Sequence, residues 1–185
     1  MKKHILLRAF AMALVFSLVV ISRHSPAGSS QGPGANAAAI RVNAGNNFAL
    51  IPTANPAVFG HEVDGVAQVS SIGNCHFHGD GTVLFPTGPN EPIRIVSGSP
   101  WTLTSSDGAN SLKFDVEGTA AFDPANAAFG NIVYKATFVG GTGAFAGATG
   151  TGTMEVTAEF NSLLTGLATW TMKGTVITPP GKVGP

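Results

Sequence analysis

The sequence predicts an all-β protein, built as a single eight-stranded antiparallel barrel. Charged residues make up only 11% of the chain and 24 of its 185 residues are glycine, a composition typical of pleated sheets and tight turns. Apolar and polar residues alternate with a period of two, and no segment beyond the first 28 residues keeps a helical period. Turn residues separate about eight such segments, which is the pattern of a sandwich or a barrel.

The first 28 residues have the parts of a secretory signal peptide, which we expect to be a helix that is cleaved. Lys2 and Lys3 precede the uncharged run Ala9–Ile21, and Ser25-Pro26-Ala27 offers small residues for cleavage. The run would rise about 20 Å as a helix, short of the ~30 Å hydrocarbon core, so it predicts no stable membrane anchor. We therefore expect a secreted or periplasmic protein.

Beyond the leader, the sequence predicts one domain with a short tail at each end. Residues 29–39 are rich in Gly, Ala, Ser and Pro, which predicts a flexible tail; residues 40–178 hold the barrel, and residues 179–185 form a C-terminal tail. Four of the 10 Lys and Arg residues lie in the leader, which leaves 6 against 10 Asp and Glu, a net charge of −4. Such a surface does not favour nucleic acid or an anionic membrane as a partner.

The alternating segments follow one another with short connections. In order they are Ile40–Ile51, Val58–Val69, Cys75–Phe85, Ile93–Val96, Trp101–Thr104, Leu112–Phe122, Ile132–Phe138, Met154–Phe160 and Ala168–Val176. Asn43–Asn47 interrupts the first of them, and Leu112–Phe122 has the cleanest period of two. Ser70–Asn74 predicts a turn that would pair Val69 with Cys75. Because one face of each segment is apolar and the connections are short, we expect the sheet to close on itself, which removes its edges.

Glycines are concentrated between two of these segments, in residues 138–150. We interpret this stretch as a corner between two antiparallel strands, where glycine permits a tight reversal and Phe145 can fold back to plug the barrel end. The stretch resembles the corner of the allene oxide cyclase and dirigent-like barrels, whose pattern is roughly G-G-[ST]-G-x-F-x-x-A-x-G. The matching residues are Gly140, Gly141, Thr142, Gly143, Phe145, Ala148 and Gly150.

The resemblance implies an eight-stranded, calycin-like (allene oxide cyclase-like) barrel that forms a homo-oligomer, a trimer in many plant members. Plant enzymes of these families cyclise an unsaturated epoxide fatty acid or steer the radical coupling of phenols, and they use neither a metal nor an organic cofactor. The matched motif is structural, so it carries no catalytic residue over to this chain, and the fold alone does not imply the activity.

Two sets of residues are candidates for a binding site. The first consists of residues on the apolar faces that can line the barrel interior around a small hydrophobic ligand: Cys75, Trp101, Phe114, Tyr134 and Trp170. The alternative is that these side chains simply fill an eight-stranded barrel. Cys75 is the single cysteine of the chain, so no intrachain disulfide can form.

The second set is His76 and His78, which lie two residues apart on a predicted strand. Both imidazoles then point to one face, a good geometry for two zinc or copper ligands. The alternative is a solvated outer face, because their parity is opposite to that of Cys75 and Phe77. Three hypotheses for function therefore stay open: a barrel that binds a hydrophobic ligand, a cofactor-free isomerase or cyclase, and a metal-binding surface protein.

Overall fold

Antiparallel strands form one sheet that closes on itself in the computed structural model, which describes residues 35–122 and 129–180. The nine strands are β1 (Asn36–Pro52), β2 (Val58–Val69), β3 (Gly73–Leu84), β4 (Ile93–Ser97), β5 (Trp101–Ser105), β6 (Ser111–Phe122), β7 (Phe129–Thr142), β8 (Thr149–Phe160) and β9 (Thr165–Thr178). A single 3-10 turn, Gly143–Phe145, lies between β7 and β8. The predicted signal peptide lies outside the described residues. No helix within the described ranges is long and apolar enough to cross a membrane.

The nine strands occupy eight positions around the barrel. The pairing of β1 with both β2 and β9 closes the sheet. The short strands β4 and β5 share one position, because each pairs with β3 on one side and with β6 on the other. Ser97 lies opposite Gly81, and Thr102 lies opposite His78. The segment from Ser97 to Thr102 therefore has two more residues than the segment of β3 that it faces. The predicted eight-stranded antiparallel barrel is therefore confirmed.

The strand β1 differs from its prediction in two ways. It runs without interruption through residues 43–47, and it begins at Asn36, so residues 36–39 belong to the strand and not to the predicted tail. The physical reason is that β1 has partners on both sides. Residues 36–39 pair with Thr175–Thr178 of β9 through the backbone, and the asparagines in the middle of β1 pair with both neighbours.

The predicted register between β2 and β3 is wrong by two residues. Val69 lies opposite Gly73 instead of Cys75, so the connecting turn is shorter than expected. A shift of two residues keeps every side chain on its predicted face, and for this reason the alternation could not detect it. The observed register places Asp64 opposite His78, and this changes the neighbours of the histidine pair.

The two ends of the barrel are closed differently. The corner end carries the 3-10 turn, and there Phe145 is fully buried, as the sequence predicts. The backbone N–H of Ala144 donates to the side-chain oxygen of Asn110 at 2.8 Å, which ties the corner to the β5–β6 turn. The mouth end is the opposite one, where β1, β3 and β8 end and β2, β4 and β9 begin.

Candidate ligand cavity

A cavity of about 60 Å³ lies inside the barrel towards the mouth end. It exists because small residues meet on neighbouring strands: Gly130 of β7 lies opposite Ala158 of β8, which in turn lies opposite Ala168 of β9. These three residues line the cavity, together with larger apolar residues from the other strands. The row of small side chains therefore leaves a space at the mouth end. Nearer to the corner end, buried aromatic side chains fill the interior of the barrel.

Two tryptophans, the only ones in the chain, form part of the cavity wall. The indole N–H of Trp101 donates to the backbone carbonyl of Asp80 at 2.8 Å, and the indole N–H of Trp170 donates to the side-chain oxygen of Asn46 at 3.0 Å. Phe77 lies between them, with its ring centre 5.6 Å from that of Trp101 and 4.9 Å from that of Trp170, both edge to face. The orientation of both indoles is therefore fixed by a hydrogen bond and by ring packing.

Trp101 also depends on a glycine of the neighbouring strand. A Cβ atom at Gly79 would lie 2.5 Å from the indole of Trp101, so only glycine leaves room for the ring on the backbone of β3. Because Gly79 has no side chain, the indole of Trp101 can lie close to the sheet. The ring centre of Trp101 is 5.6 Å from that of Tyr134.

Two polar side chains of the cavity wall have no hydrogen-bond partner among the described residues. His61 is only 8% exposed, its Nδ1 atom is enclosed, and within the described residues neither of its ring nitrogens forms a hydrogen bond. The hydroxyl of Tyr134, a residue that is 2% exposed, likewise makes no hydrogen bond within the described part of the chain. Burial lowers the pKa of His61 to about 4 and raises the pKa of Tyr134 well above its ordinary value, so both are uncharged at neutral pH.

The buried histidine makes the stability of the fold depend on pH. The ordinary pKa of 6.5 applies to His61 in the unfolded chain, whereas the folded value is about 4. As the pH falls from 6.5 towards 4, only the unfolded chain gains this proton, so the free energy of unfolding decreases by about 3 kcal/mol. We expect His61→Leu to flatten this part of the pH profile, as measured by urea unfolding between pH 4 and pH 8. An equally steep profile in the variant would contradict the assignment.

The predicted interior residues separate into two groups. Trp101, Tyr134 and Trp170 line the cavity, whereas Cys75 and Phe114 are buried in the core without lining it. Burial, with the nearby Asp107 carboxylate, raises the pKa of the Cys75 thiol. Whether any of the five binds a ligand stays a prediction.

His61 lines the cavity but was not among the residues predicted to do so. The signal was available, because His61 has the same parity as Val63 and Val69, both of which are buried. A histidine on the apolar face of a strand points into the barrel, where a buried polar side chain usually has a hydrogen-bond partner or a function.

His76 and His78 lie on the outer face of the barrel, away from the cavity. Each imidazole has a nitrogen 3.4 Å from an oxygen of Asp64, and all three side chains are more than 60% exposed. Among the described residues, no group of three or more histidine, cysteine or acidic side chains is arranged to hold a metal ion. Metal binding by the two histidines therefore stays a prediction. The observed register places the carboxylate of Asp64 within 3.4 Å of both imidazoles.

Comparison with known proteins identifies no family for this chain. No protein-family model matches the sequence, and no curated protein matches it. Among solved structures, the pterocarpan synthase dirigent protein GePTS1 is similar to it, with 14% identity over 84% of this chain and 92% of that protein and a TM-score of 0.41.

Proposed function

We propose that the barrel binds one small, largely apolar molecule in the cavity at its mouth end. The observation that carries this proposal is that two side chains of a largely apolar wall lack a hydrogen-bond partner among the described residues: the enclosed Nδ1 of His61 and the hydroxyl of the buried Tyr134. A buried polar group without a partner costs about 1–3 kcal/mol, so a barrel whose interior served only as filling would be more stable with apolar residues there. A bound molecule supplies the missing partners and also fills the space.

The size of the cavity limits the ligand. Its volume of about 60 Å³ is smaller than the ~150 Å³ of an engineered cavity that binds benzene. A molecule with one ring therefore needs the side chains at the mouth to move outwards. Phe85 and Phe160 line the cavity and are only partly buried, so these are the side chains that we expect to move.

Filling the cavity is expected to abolish binding. In Ala158→Phe, the added ring occupies the space that Ala158 and Ala168 leave between β8 and β9. A ligand that binds only the folded state raises the melting temperature, so we expect saturating toluene to raise that of the natural protein and not that of the variant.

The control for this experiment is Thr157→Phe, which adds the same ring to the exposed outer face of β8. We expect this variant to keep the toluene-dependent increase. If Ala158→Phe and the natural protein respond to toluene alike, the cavity is not the binding site.

Isomerisation of a bound molecule is the second candidate. The cavity holds a neutral imidazole and a phenol, two groups that can take and return a proton. A pKa of about 4 makes His61 a weak base, which is why binding ranks first. Exchange of hydrogen for deuterium next to the carbonyl of a bound ketone, lost in His61→Leu, would favour isomerisation.

We also propose that the barrel acts outside the cytoplasm. This proposal rests on the leader sequence alone, with its positive start and its uncharged run. The mass of the protein recovered from the periplasm or the medium of its own host tests it. A mass that lacks about the first 28 residues supports export, whereas a cytoplasmic protein with an intact leader contradicts it.

A further inference from the structure

The described wall of the cavity provides no charge to pair with a charged ligand. Among the described residues, its wall contains no Asp, Glu, Lys or Arg and one histidine, His61, whose pKa burial lowers to about 4. An ionised carboxylate or ammonium group would therefore lose its hydration without gaining a counter-ion. This cost falls on charged ligands of either sign.

The same wall offers hydrogen bonds to an uncharged group. A neutral imidazole has one donor and one acceptor nitrogen, and the hydroxyl of Tyr134 can act as either. His61 and Tyr134 are both in ring contact with Trp101, with ring centres 6.0 and 5.6 Å from its indole. Both groups therefore line the cavity next to the same indole.

We propose that the cavity selects an uncharged ligand with a hydroxyl or carbonyl group, which His61 and Tyr134 bind, and that it excludes carboxylates and ammonium ions. This inference rests on the proposed function, since it names the class of molecule that the same cavity takes. The remaining indole and phenyl surface of the wall contacts the apolar part of that molecule.

Aromatic walls can bind cations, but the arrangement of these rings does not favour it. Recognition of an ammonium ion requires ring faces that are free to contact the cation. Trp101 is in ring contact with His61, Phe77, Phe114 and Tyr134, and these contacts cover much of its surface. In the part of the wall that the structure describes, no carboxylate is present to support a cation.

Four ligands with the same ring test the inference: toluene, benzyl alcohol, benzoate and benzyltrimethylammonium. We expect calorimetric titration at pH 7.5 to show that benzyl alcohol binds about tenfold more tightly than toluene, because it satisfies buried polar groups that toluene leaves unpaired. We expect benzoate and the ammonium compound to bind at least about tenfold more weakly than toluene.

Variants connect this preference to the two side chains. Tyr134→Phe removes one oxygen and His61→Leu removes the imidazole, so each is expected to reduce the tenfold preference for benzyl alcohol while toluene still binds. His78→Leu, the same replacement on the exposed outer face, is the control and keeps the preference.

The possible failures are distinguishable. If benzoate or the ammonium compound binds as tightly as benzyl alcohol, or if neither variant changes the preference, the inference is wrong although the cavity still binds ligands. If none of the four compounds binds, the proposed function fails and the inference fails with it.

Discussion

Replacing Gly150 by alanine is expected to lower the free energy of unfolding by about 4 kcal/mol. Gly150 has a φ of 126°, a conformation that residues with a side chain rarely adopt. An added Cβ would also collide with the backbone oxygen of Thr175 on β9 and lie 3.4 Å from the ring of Phe138. Because the collision is with backbone, relieving it means separating β8 from β9 next to the corner. Urea unfolding of the two proteins measures the difference.

Gly140 provides a matched control, since its φ of 125° is nearly the same. A Cβ at Gly140 would have no atom within 4 Å, so Gly140→Ala introduces the backbone strain without the collision. We expect this variant to lose only about 2 kcal/mol. Equal losses at the two positions would show that the close approach of β8 to β9 at Gly150 has no energetic effect.

Replacing Phe77 by alanine is expected to cost about 3–5 kcal/mol, the range for a large ring removed from a packed core. Phe77 is fully buried and contacts both Trp101 and Trp170. Its removal leaves a second space beside the cavity and frees one side of each indole. We therefore expect a lower urea midpoint together with a change in tryptophan emission, which reports on these two indoles alone.

Phe77→Leu separates packing from the aromatic contacts. Leucine keeps part of the volume but provides no ring, so we expect a smaller loss of about 1.5 kcal/mol. If alanine and leucine destabilise the fold equally, the volume of Phe77 is not what holds the two indoles in place.

Local patterns in the sequence predict most of this fold, because a barrel strand alternates between an inner and an outer face. The cleanest example is β6, where Leu112, Phe114 and Val116 are all buried as their parity predicts. The corner was predicted from its glycines, since few other residues tolerate such a reversal. The strand β1 was harder to predict because asparagine is uncommon in strands, although Asn46 is buried and bonds to Trp170.

The cavity could not be predicted in the same way. It depends on Gly130, Ala158 and Ala168 lying side by side, which is a matter of register between strands. Two registers that differ by two residues place every side chain on the same face of the sheet, as the pairing of β2 with β3 shows. The alternation of apolar and polar residues therefore does not distinguish them. His61 is the exception, because its parity alone places it in the interior.

The indole N–H resonances of the two tryptophans test the central claim most directly. The chain has two such groups, on Trp101 and Trp170, and both indoles belong to the cavity wall. A ¹H–¹⁵N correlation spectrum recorded during titration with benzyl alcohol follows each of them separately. Our account predicts that both signals shift and saturate together, with one ligand bound per barrel. If both stay in place while amide signals of the outer surface move, the molecule binds outside the barrel and the cavity is not its site.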